Sequence, residues 1–275
     1  MSDYLLSIIL GVIEGITEFL PVSSTAHLRI AEAWLNVDLG SGYWKMYTIV
    51  IQLGAILCVP IYFRERIRKF LLTFPGPRHP LVLVAVAFVV TAIPSFLLSK
   101  VIGKNLENLR VMGLALVLGG IVMWIVDRIS QVRIQRMEDM TFGQAVWIGA
   151  CQILSAVFPG TSRSMSSIAA GQLAGMSRAS ALEFSFFVSI PIMVAATGYD
   201  LLKSVLGKGE NPIGVSGIDA HGWVVLAIGF VVSFIVAYAS VAWFMAWVRE
   251  RGFTPFAIYR ILIGAIVLIY ALKLP

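Results

Sequence analysis

One pattern occurs twice in this 275-residue chain, and it constrains the fold more than any other feature. Residues 10–25 read LGVIEGITEFLPVSST, and residues 148–163 read IGACQILSAVFPGTSR. Pro21 and Pro159 stand at the same place in the two copies, which are 138 positions apart. Because proline interrupts a helix and the hydroxyl residues that follow favour the start of another, each copy predicts a broken helix.

The composition places these broken helices in a membrane. Hydrophobic residues make up 59% of the chain and charged residues only 13%, which is too apolar for a water-soluble domain. The net charge of +6 falls mostly in short loops, so it indicates orientation in a membrane and not nucleic-acid binding. The stretches long enough to cross a bilayer are about 47–63, 80–98, 111–127, 182–202, 222–247 and 255–273.

The apolar part of each copy is too short to span. Leu5–Leu20 would form a helix of about 24 Å against a hydrocarbon core of about 30 Å. We expect a second short helix after each break, near 24–35 and 162–175. The sequence therefore predicts re-entrant hairpins over 5–35 and 144–175, with the broken backbone buried in protein or lining a wet cavity.

The predicted fold is all-α and polytopic, with about six transmembrane helices and the two hairpins in one integral membrane domain over 1–275. Three spans separate the hairpins, so these enter from opposite faces as an inverted-topology repeat, over about 4–127 and 142–273. Lysine and arginine are enriched in the loops near 64–79 and 127–142, which the positive-inside rule makes cytoplasmic, with both termini outside.

Two acids mark the first copy. Glu14 and Glu18 are four residues apart, so they share one helix face. Carboxylates at membrane depth are costly and usually serve a function, and like charges at this spacing need a partner. That partner is a divalent cation such as Mg²⁺ or Ca²⁺, a histidine or an arginine. The structural alternative is a pair of polar packing groups.

The first break supplies hydroxyl groups and a histidine. Ser23, Ser24 and Thr25 stand at the predicted start of the second helix, where free amides and the helix dipole favour an anion. An ordinary helix cap explains the same residues. His27 favours a function, because it lies one turn beyond Ser24 and its ring could reach the serine hydroxyl or a bound water.

The second break supplies a cation. Gly160 permits an unusual turn, and Thr161, Ser162 and Ser164 supply hydroxyls around Arg163. A guanidinium suits phosphate or carboxylate, so this arginine either binds an anion or neutralises the acids of the first copy. Together the two breaks hold the groups that phosphoryl chemistry needs, and a substrate that arrives through lipid would be a lipid phosphate.

The motifs EGITEFLPVSSTAH, IQLGAI and FPGTSRS resemble the signatures of the bacterial undecaprenyl-diphosphate phosphatases, the bacitracin-resistance family. The resemblance extends over the whole chain. It implies hydrolysis of undecaprenyl diphosphate to the monophosphate carrier used for peptidoglycan, with a divalent cation as cofactor. It also implies a homodimer in the bacterial inner membrane whose site faces the periplasm.

Carried over by position, the resemblance makes Glu14, Glu18, Ser24, His27 and Arg163 catalytic, with Glu14 and Glu18 also as metal ligands. The predicted substrate-binding side chains are Ser23, Thr25, Gln52, Thr161, Ser162 and Ser164. The chain departs from the family pattern where Ala26 and Met165 replace glycines and Ser167 replaces threonine.

Two chemical routes fit these residues. Either Ser24 attacks phosphorus after activation by His27, or His27 activates water and Ser24 only binds. The alternative function is a lipid-phosphate flippase, because inverted repeats with broken helices also build transporters. A flippase needs the anion site but no base beside a hydroxyl. A structural scaffold is disfavoured by the cost of burying so many charges.

Overall fold

The computed structural model describes residues 1–38, 41–74, 76, 78–98, 108–206 and 218–273. Within these ranges the chain forms eleven α-helices, one 3-10 turn at Met137–Asp139 and a single isolated β-bridge between Ile134 and Met176. The α-helices are α1 Asp3–Thr17, α2 Ser24–Trp34, α3 Gly42–Tyr62, α4 Arg64–Leu72, α5 Pro80–Leu97, α6 Leu109–Ile129, α7 Phe142–Val157, α8 Arg163–Leu173, α9 Arg178–Val205, α10 Ala220–Arg251 and α11 Thr254–Lys273.

The predicted all-helical membrane fold is confirmed. Six helices in the described part are long and apolar enough to cross a membrane, namely α3, α5, α6, α9, α10 and α11. They coincide with the six predicted spans and differ only at their ends. Large apolar side chains such as Leu118, Ile235 and Ile266 stay exposed on these helices. Exposure of this kind suits contact with lipid, so the chain is a multi-pass membrane protein.

The two predicted hairpins are the helix pairs α1–α2 and α7–α8. α1 ends at Thr17, three residues before the predicted end at Leu20. The ring of Pro21 explains this, because a proline clashes with the carbonyl four residues earlier, which belongs to Thr17. Glu18 still has helical angles, and its amide donates to the carbonyl of Glu14 (2.9 Å), so the two acids stay one turn apart.

Helices at equivalent places in the two halves of the chain pack on equivalent helices of the opposite half. α1 packs on α10 while α7 packs on α5, and α3 contacts α10 while α9 contacts α5. Glycines make the first two contacts close, since a Cβ on Gly11 would meet the carbonyl of Gly229 at 3.0 Å and one on Gly149 that of Ala87 at 2.6 Å. This exchange is what a duplicated fold requires. Entry of the hairpins from opposite membrane faces stays a prediction.

Candidate active site

The tips of the two hairpins meet, although they are far apart in the sequence. The Ser164 hydroxyl donates to the carbonyl of Leu20 (3.0 Å), across 144 positions. Arg163 Nη2 donates to Glu18 Oε1 (3.2 Å), across 145 positions. These contacts bring the acids of the first hairpin to the cation of the second. The contact between Arg163 and Glu18 is the one required by the second role predicted for Arg163, neutralising the acids of the first copy.

Each tip begins its second helix with the same backbone device. Ser23 and Ser162 are the N-cap residues, and each accepts a hydrogen bond from the amide three residues on. Both have positive φ, 74° and 70°, which is uncommon for residues other than glycine. Such sharp turns let the chain reverse within a few residues.

The tips are nevertheless offset by one residue. At the offset of 138 positions between the two copies, Ser24 aligns with Ser162. The residues that cap the second helices, however, are Ser23 and Ser162. The second tip has one more residue between its proline and its cap, so Ser24 and Arg163 occupy the first helical positions of α2 and α8. The structural counterpart of the serine is therefore the arginine.

Glu18 is the centre of the hydrogen-bond network. Its Oε2 accepts the hydroxyl of Ser24 at 2.5 Å, and its Oε1 accepts Arg163. The side chains of Glu18 and Arg163 are only 6% and 12% exposed. A short bond from a hydroxyl to an ionised carboxylate is among the stronger hydrogen bonds in proteins, so the serine oxygen is polarised toward its anionic form. The predicted ion pair with Arg163 is present.

The His27 ring does not contact the hydroxyl of Ser24, the first of the two partners predicted for it; a bound water, the second, stays a prediction. His27 Nδ1 lies 2.8 Å from the carbonyl oxygen of Ser23, and Nε2 lies 2.7 Å from the hydroxyl of Tyr259, whose ring stacks on the imidazole. The serine hydroxyl turns instead to Glu18, because a carboxylate is a stronger acceptor than a neutral imidazole. A carbonyl oxygen only accepts, so Nδ1 carries the hydrogen, and Nε2 of the neutral ring is an acceptor.

Glu14 is the least satisfied group of the site. Its side chain is fully buried, and neither carboxylate oxygen has a hydrogen-bond partner within the described ranges. Buried polar atoms normally find partners, and either a proton shared with Glu18 or a bound cation would satisfy these two oxygens. The donor set fits a hard divalent cation. The described residues hold no group of three or more His, Cys, Asp or Glu side chains suited to a metal, so phosphate oxygens and water would complete the shell.

The predicted substrate-binding residues differ in their environment. Thr25 and Thr161 are partly buried, and the Ser162 and Ser164 hydroxyls bond each other at 3.0 Å. Thr161 uses its carbonyl, not its hydroxyl, as an acceptor toward Arg260 (3.0 Å). Gln52 is partly buried on α3, and among the described residues it makes no hydrogen bond to either tip.

Two residues of α11 escaped the sequence reasoning. Tyr259 contacts His27, and Arg260 is fully buried beneath both tips. Both residues lie more than 200 positions from the first tip in the sequence, so spacing along the chain does not predict these contacts. A lone arginine inside the predicted span 255–273 was the available sign, since an ionisable residue at membrane depth is a functional candidate by default.

The fold and this site define a multi-pass helical membrane protein with an acid–hydroxyl–arginine centre between two hairpins. The family model described as "Bacitracin resistance protein BacA" matches residues 7–266. The chain belongs to this family.

Curated relatives resemble nearly the whole chain. A protein named undecaprenyl-diphosphatase from Koribacter versatilis (strain Ellin345) is 63% identical over 285 residues, covering 99% of this chain and all of its own length. The undecaprenyl-diphosphatase of Rhizobium etli (strain CIAT 652) is 43% identical, over 97% of this chain and 96% of its own length. That of Caldanaerobacter subterraneus subsp. tengcongensis is 37% identical, over 94% and 93%.

Proposed function

We propose that this chain is a membrane phosphatase that hydrolyses undecaprenyl diphosphate to undecaprenyl phosphate and inorganic phosphate. One observation carries the proposal: the hydroxyl of Ser24 lies 2.5 Å from Glu18 Oε2, while the other oxygen of that carboxylate holds Arg163. A nucleophile, a base and a cation thus share one buried point. The names of the relatives agree with this chemistry.

The diphosphate binds between the tips. Arg163 presents a fork of N–H donors that matches two phosphate oxygens, and the free amides at the start of α2 and α8 add donors at the positive end of each helix dipole. The hydroxyl of Thr25 in the first turn of α2 supplies a further donor, whereas those of Ser162 and Ser164 are engaged with each other and with the carbonyl of Leu20. Gln52 on α3 is proposed as an additional donor. These groups hold the terminal phosphate while the isoprenyl chain stays in lipid.

In the first step Ser24 is the nucleophile. Its oxygen attacks the terminal phosphorus, the bond from that phosphorus to the bridging oxygen breaks, and undecaprenyl phosphate leaves. The serine proton passes to Glu18, which already accepts it in a 2.5 Å hydrogen bond. Arg163 stabilises the charge on the phosphoryl oxygens as the bond breaks, and a phosphoserine forms.

In the second step water attacks the phosphoserine. Nε2 of His27 gives up its hydrogen bond from the Tyr259 hydroxyl and takes the proton from the water. Glu18 returns its proton to the serine oxygen as the phosphorus–oxygen bond breaks. Inorganic phosphate leaves with the proton that His27 took from the water, so the serine hydroxyl and the neutral imidazole are both restored. His27 suits this role because its Nδ1 is fixed by the carbonyl of Ser23 (2.8 Å), which leaves Nε2 as the basic nitrogen.

A divalent cation such as Mg²⁺ or Ca²⁺ fits the carboxylates of Glu14 and Glu18. Such an ion neutralises charge on the diphosphate and polarises its phosphorus–oxygen bonds. The two unpartnered oxygens of Glu14 support this assignment.

The cellular role follows from the product. We propose that the chain lies in the bacterial inner membrane as a homodimer with its site open to the periplasm, and that it recycles the lipid carrier for peptidoglycan synthesis. In line with the family description, we expect this activity to confer resistance to bacitracin.

The test is phosphate release from undecaprenyl diphosphate by the purified full chain in detergent. Radiolabelled terminal phosphate should appear transiently on Ser24 when the reaction is quenched with acid, and as free phosphate later. A single inverting step with no labelled protein would exclude the serine route. Absence of phosphate release from folded protein with Mg²⁺ or Ca²⁺ supplied would overturn the proposal.

A further inference from the structure

Arg260 is fully buried on α11, and it bonds the backbone of both hairpin tips. Its Nη1 donates to the carbonyl of Pro21 in the first tip (2.9 Å). Its Nη2 lies within hydrogen-bond distance of the carbonyls of Gly160 and Thr161 in the second tip (3.0 Å each). The same Nη2 also reaches the carbonyl of Ala115 on α6 (3.2 Å). One guanidinium therefore joins three segments of the chain.

The surroundings are shaped for this guanidinium. A Cβ on Gly119 would collide with Nη2 of Arg260, so the absence of a side chain there leaves the room that the group occupies. Gly160 has φ +94°, and a Cβ there would meet the carbonyl of Met112 at 2.5 Å. Neither position accepts a side chain without movement of its neighbours. The two glycines keep the pocket open and the carbonyl of Gly160 turned inward.

Arg260 differs from Arg163 in what it binds. Arg163 forms an ion pair with Glu18, whereas within the described ranges no carboxylate lies at ion-pair distance from Arg260. Carbonyl dipoles solvate its charge instead. A charge buried at this depth is costly unless the structure uses it, and a planar fork with fixed donor directions is the side chain suited to hold several carbonyls at once.

We infer that Arg260 is a positioning residue, which clamps the two tips in the register that brings Ser24 to Arg163. The carbonyls that it holds belong to Pro21, three residues before Ser24, and to Thr161, two residues before Arg163. Loss of the clamp lets either tip shift along the other. A displacement of about 1 Å at reacting groups can lower the rate of a reaction about a hundredfold.

The clamp itself does not depend on which substrate the site takes, but its effect on the rate rests on the proposed function. Amide hydrogen exchange therefore provides a readout that is separate from activity. The full chain in nanodiscs would be compared with Arg260→Lys and Gly119→Ala, following peptides over 18–25 and 158–164 by mass spectrometry. Arg260→Lys keeps the charge but removes the fork, and Gly119→Ala crowds the guanidinium without removing it.

Both variants are expected to exchange at least about tenfold faster in both tips at once, because one side chain holds both. Phosphate release should fall at least about tenfold in kcat per folded molecule, with a smaller change in KM, because positioning acts on the reacting geometry. Arg178→Lys is the matched control. That arginine donates to Asp127 Oδ1 (2.6 Å) and contacts neither tip, so the tip exchange rates and kcat should stay at the wild-type values.

If either tip of Arg260→Lys exchanges at the wild-type rate, the clamp is overturned. The clamp is also overturned if kcat per folded molecule of the variant equals that of the wild type. If Arg260→Lys does not yield folded protein, Gly119→Ala decides on the same criteria. If the wild-type chain releases no phosphate at all, the proposed function fails while the exchange data still decide whether Arg260 joins the tips.

Discussion

The two hairpin tips use one backbone design to carry opposite chemical groups. Each has a proline, then a serine cap with positive φ, then a short helix directed into the protein. The first tip carries Glu14, Glu18 and a serine at the first helical position, whereas the second carries Gln152, Ala156 and an arginine there. The two tips thus share a backbone design, and on the proposed mechanism the acidic one supplies the nucleophile and the cationic one binds the anion.

Under the proposed mechanism neither tip suffices alone. Two acids with a serine would repel a diphosphate, and an arginine with hydroxyls would bind the diphosphate without cleaving it. The hydrogen bond between Arg163 and Glu18 joins the halves, so the charge of each is compensated only when the tips meet. This division between the two tips can be tested by replacing residues of one tip and comparing them with replacements in the other.

The largest effect is expected at Ser24. Ser24→Ala removes the nucleophile, so kcat for phosphate release should fall at least about 10³-fold while the protein stays folded. Ser166→Ala is the control in the second tip, because its hydroxyl only donates to the carbonyl of Ser162 (3.1 Å). Retention of more than a tenth of the wild-type kcat by Ser24→Ala would mean that water attacks directly.

The second-largest effect is expected at the hydrogen bond between Glu18 and Arg163, which joins the two tips. Glu18→Gln removes the base, and Arg163→Lys keeps the charge but loses the fork, so each should lower kcat/KM about 10²- to 10³-fold. Because the two side chains share a hydrogen bond, the double variant should lose less than the product of the single losses. Full additivity in steady-state phosphate release would show that the two halves act independently.

A smaller loss is expected when the first tip is made to resemble the second. Glu14→Gln places an amide where the second hairpin has Gln152, so the cation loses one of its two carboxylates. Activity should fall about 10- to 100-fold and require a higher Mg²⁺ or Ca²⁺ concentration, in line with weaker cation binding. Chelator should abolish wild-type activity. An unchanged metal titration for Glu14→Gln would remove this residue from the cation site.

The smallest effect concerns the serine caps, where the tips are alike. Ser23→Gly and Ser162→Gly should change the free energy of unfolding by only a few tenths of a kcal/mol, because glycine accepts positive φ as it loses the cap. Ser23→Ala and Ser162→Ala should each cost about 1 kcal/mol or more, since alanine loses the cap and keeps the strain. Thermal denaturation in detergent would measure both pairs, and equal values for glycine and alanine would contradict this account.

The sequence by itself determined the membrane fold and predicted most of the residues that meet between the two tips. Hydrophobic length gave the six spans, because a bilayer of fixed thickness demands a minimum run of apolar residues. The repeat with its prolines gave both hairpins, since proline ends a helix from local sterics alone. The unusual cost of charge in lipid singled out Glu14, Glu18 and Arg163 without any knowledge of contacts.

Only the tertiary structure decided which of these groups meet. The contacts of Tyr259 and Arg260 depend on how distant helices pack. The pairing of Ser24 with Glu18 depends instead on the turn after Pro21, which folds the chain back over six residues. Spacing along a helix fixes which side chains share a face, but it does not fix which face of another helix lies opposite. Contacts across more than 200 positions are set by packing, and local sequence rules do not reach that far.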